Sequence, residues 1–172
     1  MKLRGQHILL RAAEPSDVDA IFDWENDPSN WLVSGTVAPY SKHQIQSFIE
    51  NNNDVFVSHQ LRLMIQIEYG KAIGCVDFFD FDPKNHHIGM GILIDTEYRG
   101  KGYGIEAIGL ACEYGFDMLE LRTIYAEVLE SNESSLRLFE KNGFERKGLK
   151  TDWLWDGQSY QNQIFLQKIK VD

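Results

Sequence analysis

The chain has 172 residues, 43% of them apolar and 12% aromatic, which suits a single compact domain over 1–172 with a full core. Its 26 acids against 17 Lys and Arg leave a formal net charge of -9, a balance that repels nucleic acid and anionic lipid surfaces and attracts cations. No apolar run reaches the roughly 18–20 residues of a membrane span, and residues 1–7 lack the apolar stretch of a signal peptide, so a cytoplasmic protein is expected.

A short strand is predicted over 7–12. Glu14, Pro15, Ser16 and Asp17 then open a helix, because proline suits a first turn and acids complement its dipole. Val18, Ile21 and Phe22 form its apolar stripe, and Asp27-Pro28 ends it. A second helix is predicted over 41–52, with Ile45, Phe48 and Ile49 on one face. Leu61, Leu63, Ile65 and Ile67 alternate with Arg62, Met64, Gln66 and Glu68, the pattern of a strand with one solvated face. Tyr69-Gly70-Lys71 and Asp82-Pro83-Lys84-Asn85 read as turns around strands at 73–81 and 86–94, giving three consecutive antiparallel strands. Ile105, Ile108, Cys112, Phe116 and Leu119 recur at helical spacing, so this helix packs on the sheet. A β-rich segment at 123–128 leads to a short helix capped by Asn132 and ended at Asn142-Gly143. Asp156-Gly157 marks a closing hairpin carrying Trp153, Trp155 and Tyr160. Cys75 and Cys112 have no metal-type spacing and read as buried free thiols, and His86-His87 lacks a third ligand.

The chemistry concentrates between the third strand and the central helix. Ile92, Leu93 and Ile94 feed a loop containing Arg99, Gly100, Lys101, Gly102, Tyr103, Gly104 and Ile105. Alternate glycines let a ligand approach the backbone, and a helix N-terminus presents unpaired N–H groups that favour an anion. Arg99 and Lys101 add positive charge there, against the sign of the whole chain. Gly102 to Ala107 also fits G-x-G-x-x-A, but a dinucleotide fold wants those glycines directly after a parallel strand, and residues 95–99 intervene. The spacing of a Walker loop is missing, and a plain strand-to-helix connection is the remaining bland reading.

A second motif follows about thirty residues on, Asn132-Glu133-Ser134-Ser135-Leu136-Arg137-Leu138 running to Phe139 and Asn142-Gly143-Phe144. Together the two motifs resemble the GNAT superfamily of N-acetyltransferases. The first matches its [QR]-x-x-G-x-[GA] loop at Arg99, Gly102 and Gly104, and the second its N-x-x-S-x-x-[LFMY] helix through Asn132 and Ser135. Within that family the chain is similar to the ribosomal-protein-alanine and spermidine N-acetyltransferases in its Arg11-x-Ala13-x-x-x-Asp17 opening and its closing hairpin.

The resemblance implies an α+β fold in three layers, with a mixed, mostly antiparallel sheet, a splayed parallel strand pair and helices on both faces. It implies acetyl-CoA as co-substrate and no metal. Pantetheine would pair with the backbone of Ile92, Leu93 and Ile94; pyrophosphate would sit on N–H groups from Arg99 to Gly104; Asn132 and Ser135 would meet the far end of the cofactor. The strand at 73–81 would carry the general base or its water chain, making Asp77 or Asp80 the candidate; they differ in strand parity, and Asp77 is preferred. Phe139 departs from the family, which commonly has a tyrosine there to protonate the leaving thiolate; Tyr98, Tyr125 or water would have to replace it, or the acid is dispensable.

Residues 12–41 hold six acids, Glu14, Asp17, Asp19, Asp23, Glu25 and Asp27, and no Lys or Arg, which reads either as an acidic acceptor rim or as a solvated helix face. The expected activity is acetyl transfer to a primary amine, either a polyamine-like small amine or a peptide N-terminus, in a ternary complex. A non-catalytic acyl-CoA-binding module and, more remotely, a nucleotide-dependent oxidoreductase are the alternatives. Self-association into a homo-oligomer is left open.

Overall fold

A computed structural model describes residues 3–51 and 54–171; Asn52, the last residue of the helix predicted over 41–52, lies outside the described residues. The chain runs β1 (Leu9–Ala12), α1 (Val18–Glu25), α2 (Pro28–Ser34), α3 (Lys42–Asn51), α4 (Val55–Ser58), β2 (Leu61–Gln66), β3 (Ala72–Asp82), β4 (His87–Ile94), α5 (Tyr103–Asp117), β5 (Thr123–Leu129), α6 (Glu133–Lys141), β6 (Glu145–Trp155) and β7 (Tyr160–Ile169). These strands form one seven-stranded sheet in the order β1-β2-β3-β4-β5-β7-β6. Every neighbouring pair is antiparallel except β4 and β5, which are parallel and joined through α5.

The local starts and stops follow from side-chain chemistry. Asp27-Pro28 does end α1, but it also begins α2: the Asp27 carboxylate accepts from the Ser29 N–H, Pro28 takes the first helical position, and Gly35 ends the helix at φ 69°. The sequence pattern shows the break and not the restart, because α2 buries no residue fully and so carries no apolar period. Asn132 caps α6 by accepting from the Ser135 N–H, as its motif predicts. The hairpin turn places Gly157 at φ 98°, with the Asp156 carboxylate accepting from the N–H groups of Gln158 and Ser159.

The sheet is covered on both faces. One core joins Phe78, Ile88, Met90, Ile124, Ala126 and Leu166 to Ile108, Ala111 and Cys112 of α5 and to Leu136 and Phe139 of α6. On the other face Met64 and Cys75 pack with Ile21, Trp24, Ile45 and Ile49 of α1 and α3. Met64 is therefore fully buried, which corrects the expectation of a solvated face on β2. A flexible apolar methionine among polar neighbours is the local sign of the second helical layer that the resemblance implies. The opposite edge is different: β6 is exposed along nearly its whole length and slips register against β7 twice.

Arg11 of β1 ties the helical layer to the sheet. Its guanidinium donates to both oxygens of Asp17, at 2.6 and 2.8 Å, and Asp17 also accepts from the Glu14 N–H at the start of α1. Burial of Asp17 disfavours its charge, but the bonds from Arg11 and Glu14 outweigh this and hold the carboxyl below its ordinary 3.8. This contribution to stability is fully present above pH 3.8 and is lost as pH falls through the lower folded value. Asp17→Asn is expected to lower unfolding free energy by about 2 kcal/mol at neutral pH. The deficit relative to wild type should shrink in urea titrations run progressively below pH 4.

Candidate active site

Strands β4 and β5 pair over only His87↔Thr123, Ile88↔Ile124 and Gly89↔Tyr125. Beyond that they part, and β4 continues to Ile94 with only β3 beside it. Ile92 and Ile94 pack toward α5 while Leu93 packs toward α1 and α3, so neither sheet face is emptied and the backbone edge between them is what the split exposes. The resulting cleft, about 1460 Å³, is lined by Ile92, Leu93 and Ile94, by Arg99, Gly100, Gly102, Tyr103, Gly104 and Ile105, and by Asn132, Ser135 and Phe139. Of the residues predicted to hold the cofactor, Lys101 alone is not on the cleft wall; its ammonium lies over the Tyr98 ring at 5.0 Å.

The loop's glycines serve two purposes. Gly100 and Gly102 sit at φ 74° and 87°, left-handed conformations that a side chain would strain, and a Cβ at either would meet open space. Gly104 is helical instead, and a Cβ there would come 3.2 Å from the Leu138 side chain, so it permits close approach of α5 and α6. Ile105 and Glu106 return their N–H groups to the Gly102 carbonyl, leaving Tyr103 and Gly104 to begin the helix with N–H groups aimed ahead of it. Arg99 donates from Nε to the Ile94 carbonyl, which fixes its guanidinium beside the loop. A turn of this kind, opening a fifteen-residue helix, suits a phosphate-bearing ligand.

The other end of the cleft belongs to the α1, α2 and α3 layer, where Trp24, Glu25, Asn30, Tyr40 and Phe48 face Arg62, Asp77 and Phe79 of the sheet. Arg62 is its centre. The guanidinium donates to Asp77 through Nε and Nη2, at 2.6 and 2.9 Å, and Nη2 lies 2.7 Å from Glu25 Oε1. It also stacks over the Phe48 ring at 5.4 Å. Burial works against its charge, but Cys75, Asp77 and Glu25 more than offset that, and its pKa is raised. The Cys75 thiol donates to Asp77 Oδ2 and is itself pushed up by burial.

Asp77 and Asp80 are separated by the fold. Asp77 lines the cleft with its side chain 33% exposed. Asp80 stands at φ 51° where β3 bulges between Phe79 and Asp82, exposed and outside the cleft wall. Tyr125, offered as a substitute acid, is also off the cleft, and burial with the nearby Asp80 and Glu127 raises its hydroxyl to about 12. Tyr98 is on the wall, between the ammonium groups of Lys71 and Lys101. Phe139 is buried with its ring edge-on to Phe144, so the second motif's helix brings no hydroxyl to the cleft at that position.

Half of the acidic run is engaged elsewhere. Asp17 holds Arg11, Asp19 holds Lys42, Asp27 caps α2, and only Glu25 of the six lines the cleft, bonded to Arg62. Arg62 itself was read as a solvated strand residue; its role depends on the Arg62↔Asp77 register and on α1 folding over it, neither of which is a local property. Gln163 of β7 was also missed, a residue 9% exposed that lines the cleft. Among the described residues no group of three or more His, Cys, Asp or Glu could hold a metal, and no helix is long and apolar enough to cross a membrane. Arg62→Met would leave two partly exposed carboxylates, Glu25 and Asp77, without their shared cation, and a loss of about 1–3 kcal/mol is expected in urea unfolding. Adding Asp77→Asn to that variant should recover part of it.

Known proteins share this architecture. The chain superposes on the crystal structure of spermidine N-acetyltransferase from Vibrio cholerae in complex with CoA and spermine with a TM-score of 0.87, at 22% identity and covering 96% of each chain. It is 35% identical over 157 residues to the probable N-acetyltransferase YjcK of Bacillus subtilis, covering 86% of this chain and 85% of that one. It is 26% identical over 163 residues to the spermidine N(1)-acetyltransferase of Escherichia coli K12, covering 91% and 83%. The family model for the acetyltransferase (GNAT) domain matches residues 7–145, a span that contains both motifs and the split strand pair, and by that match the chain belongs to the GNAT acetyltransferases.

Proposed function

We propose that this chain transfers the acetyl group of acetyl-CoA to a primary amine in a ternary complex, with a polyamine-like amine or a peptide N-terminus as acceptor. The observation that supports it most directly is the continuity of one cleft, from the glycine turn and the free edge of β4 to the acid-bearing wall under α1 and α3. In this reading Ile92, Leu93 and Ile94 hold the pantetheine arm, the turn from Arg99 to Gly104 holds the pyrophosphate, and Asn132 and Ser135 border the far end. Relatives that acetylate spermidine support an aliphatic polyamine as the first acceptor to try.

The chemistry forms a C–N bond at the thioester carbonyl and breaks its C–S bond, while a proton leaves the amine. A free alkylammonium titrates near 10, so proton removal needs a placed acceptor. Of the two candidate carboxylates on β3, Asp77 is the one on the cleft. Of its roughly four lone-pair positions Arg62 engages two and the Cys75 thiol a third, leaving one for the amine or a bridging water. The thiolate departs without help from Phe139; a thiol pKa of about 8.5 makes it a tolerable leaving group.

Thermal-shift titration with acetyl-CoA, CoA and NAD, followed by thiol release with spermidine and with an alanine-started peptide, tests the reading. Stabilisation by both CoA ligands and not by NAD, with amine-dependent thiol release, is the expected result. Stabilisation without release to any amine would favour the binding module that Phe139 suggests, and indifference to CoA would overturn the assignment. Asp77→Asn is expected to lower kcat by about 10²–10⁴ and to alter its pH profile, whereas Asp80→Asn should leave both unchanged.

A further inference from the structure

The charges at the acceptor end of the cleft nearly cancel. Among the described residues the acids on the cleft wall are Glu25, Asp77 and Glu127. Arg62 is paired with both Glu25 and Asp77, and the Lys150 ammonium of β6 is bonded to Glu127. One negative charge is left over, shared by the two carboxylates that hold Arg62. Asp17, Asp19 and Asp27 add nothing to the wall, being engaged outside it.

The groups around this triad are neutral. Asn30, Thr36, Tyr40, Gln44 and Gln60 bring hydroxyls and amides to the wall, groups that pair with amides and hydroxyls but do not neutralise a cation. Two of the aromatic rings on the wall already carry cations of the chain itself, Phe48 under Arg62 at 5.4 Å and Tyr98 under Lys71 and Lys101 at 4.8 and 5.0 Å. A second ammonium drawn into this end would lose solvent without gaining a counter-ion, whereas an amide there can be paired by the side chains present.

We propose that the acceptor is a singly charged amine flanked by neutral amide groups, a peptide-type N-terminus, and that the pairing of Glu25, Asp77 and Glu127 with the chain's own cations is what excludes polyamines. The inference rests on the amine-acetylating reading and narrows it. One residual negative charge matches one entering ammonium; a polyamine brings further ammonium groups that find no acid on the wall. The chemistry runs the same way, because an α-amine titrates near 7.7–8.0 against about 10 for an alkylammonium, so part of it is neutral at pH 7.5 before Asp77 acts. Discrimination of this kind comes from leaving a group of the wrong substrate unpaired.

The test measures kcat/KM for putrescine, N-acetylputrescine, spermidine and an amidated alanine-started peptide without charged side chains. Putrescine and N-acetylputrescine share the reacting amine and differ in whether the far end is an ammonium or an amide. Wild type should prefer N-acetylputrescine over putrescine, and the peptide over spermidine, by tenfold or more. Lys150→Gln, which releases Glu127 from its cation, should narrow the first preference at least fivefold while leaving the KM for acetyl-CoA unchanged. If Lys150→Gln does not fold, Gln44→Glu replaces it: Gln44 is exposed on the wall, its Oε1 accepts from the Ser41 N–H, and glutamate keeps that acceptor while adding an acid. Transfer by wild type with equal or greater use of putrescine and spermidine overturns this proposal alone, and so does a preference that the added charge does not narrow. No transfer to any of the four amines overturns the functional reading and this proposal together.

Discussion

The brevity of one parallel pairing shapes this molecule. Had β4 and β5 stayed hydrogen-bonded past Gly89 and Tyr125, the sheet would be continuous and the cleft closed. The two strands are held together at one end by shared burial of Ile88 and Ile124 under α5, and beyond it each continues in a ladder with its other neighbour alone. A split of this kind offers main-chain groups in an extended row, which suits a long, flexible ligand better than a pocket of side chains does.

Each end of the split is then completed by a different device. At one end backbone geometry does the work: two left-handed glycines turn the chain into α5, and a third lets α6 lie close to it. At the other end charge does the work, with Arg62 joining α1, β2 and β3 through Glu25 and Asp77. That guanidinium holds the helical layer to the sheet and orients the carboxylate proposed to act on the amine. Structural support and chemistry are thereby coupled on one wall, while the glycine end depends little on side-chain identity.

What could be read from the sequence follows the same division. The glycine turn, the Asn132 cap and the central helix were legible because each is a local pattern: positive-φ residues, a capping side chain, a 3.6-residue period. The three antiparallel strands were legible from alternation and turns. The charged wall under α1 and α3 was not, since Arg62 and Glu25 acquire their meaning from register and from helices folding across the sheet. Met64 shows the same failure in the core, an apolar residue in a polar phase that only the second helical layer explains. The acidic run left a rim and a solvated helix face both open because sequence shows charges and not their partners; the fold engages Asp17, Asp19 and Asp27 outside the cleft.

The two cysteines carry a consequence of this layered burial. Cys75 lies under α1 and α3 and Cys112 under the opposite face, both almost wholly buried, with Cys112 pushed up to about 11 by loss of solvent and Cys75 raised further. Thiolate, not thiol, is the reactive form, so neither sulfur meets an alkylating or oxidising reagent while its layer is closed. Each helical layer thus guards its own sulfur, and the order in which the two become labelled during mild denaturation would report which side of the sheet opens first.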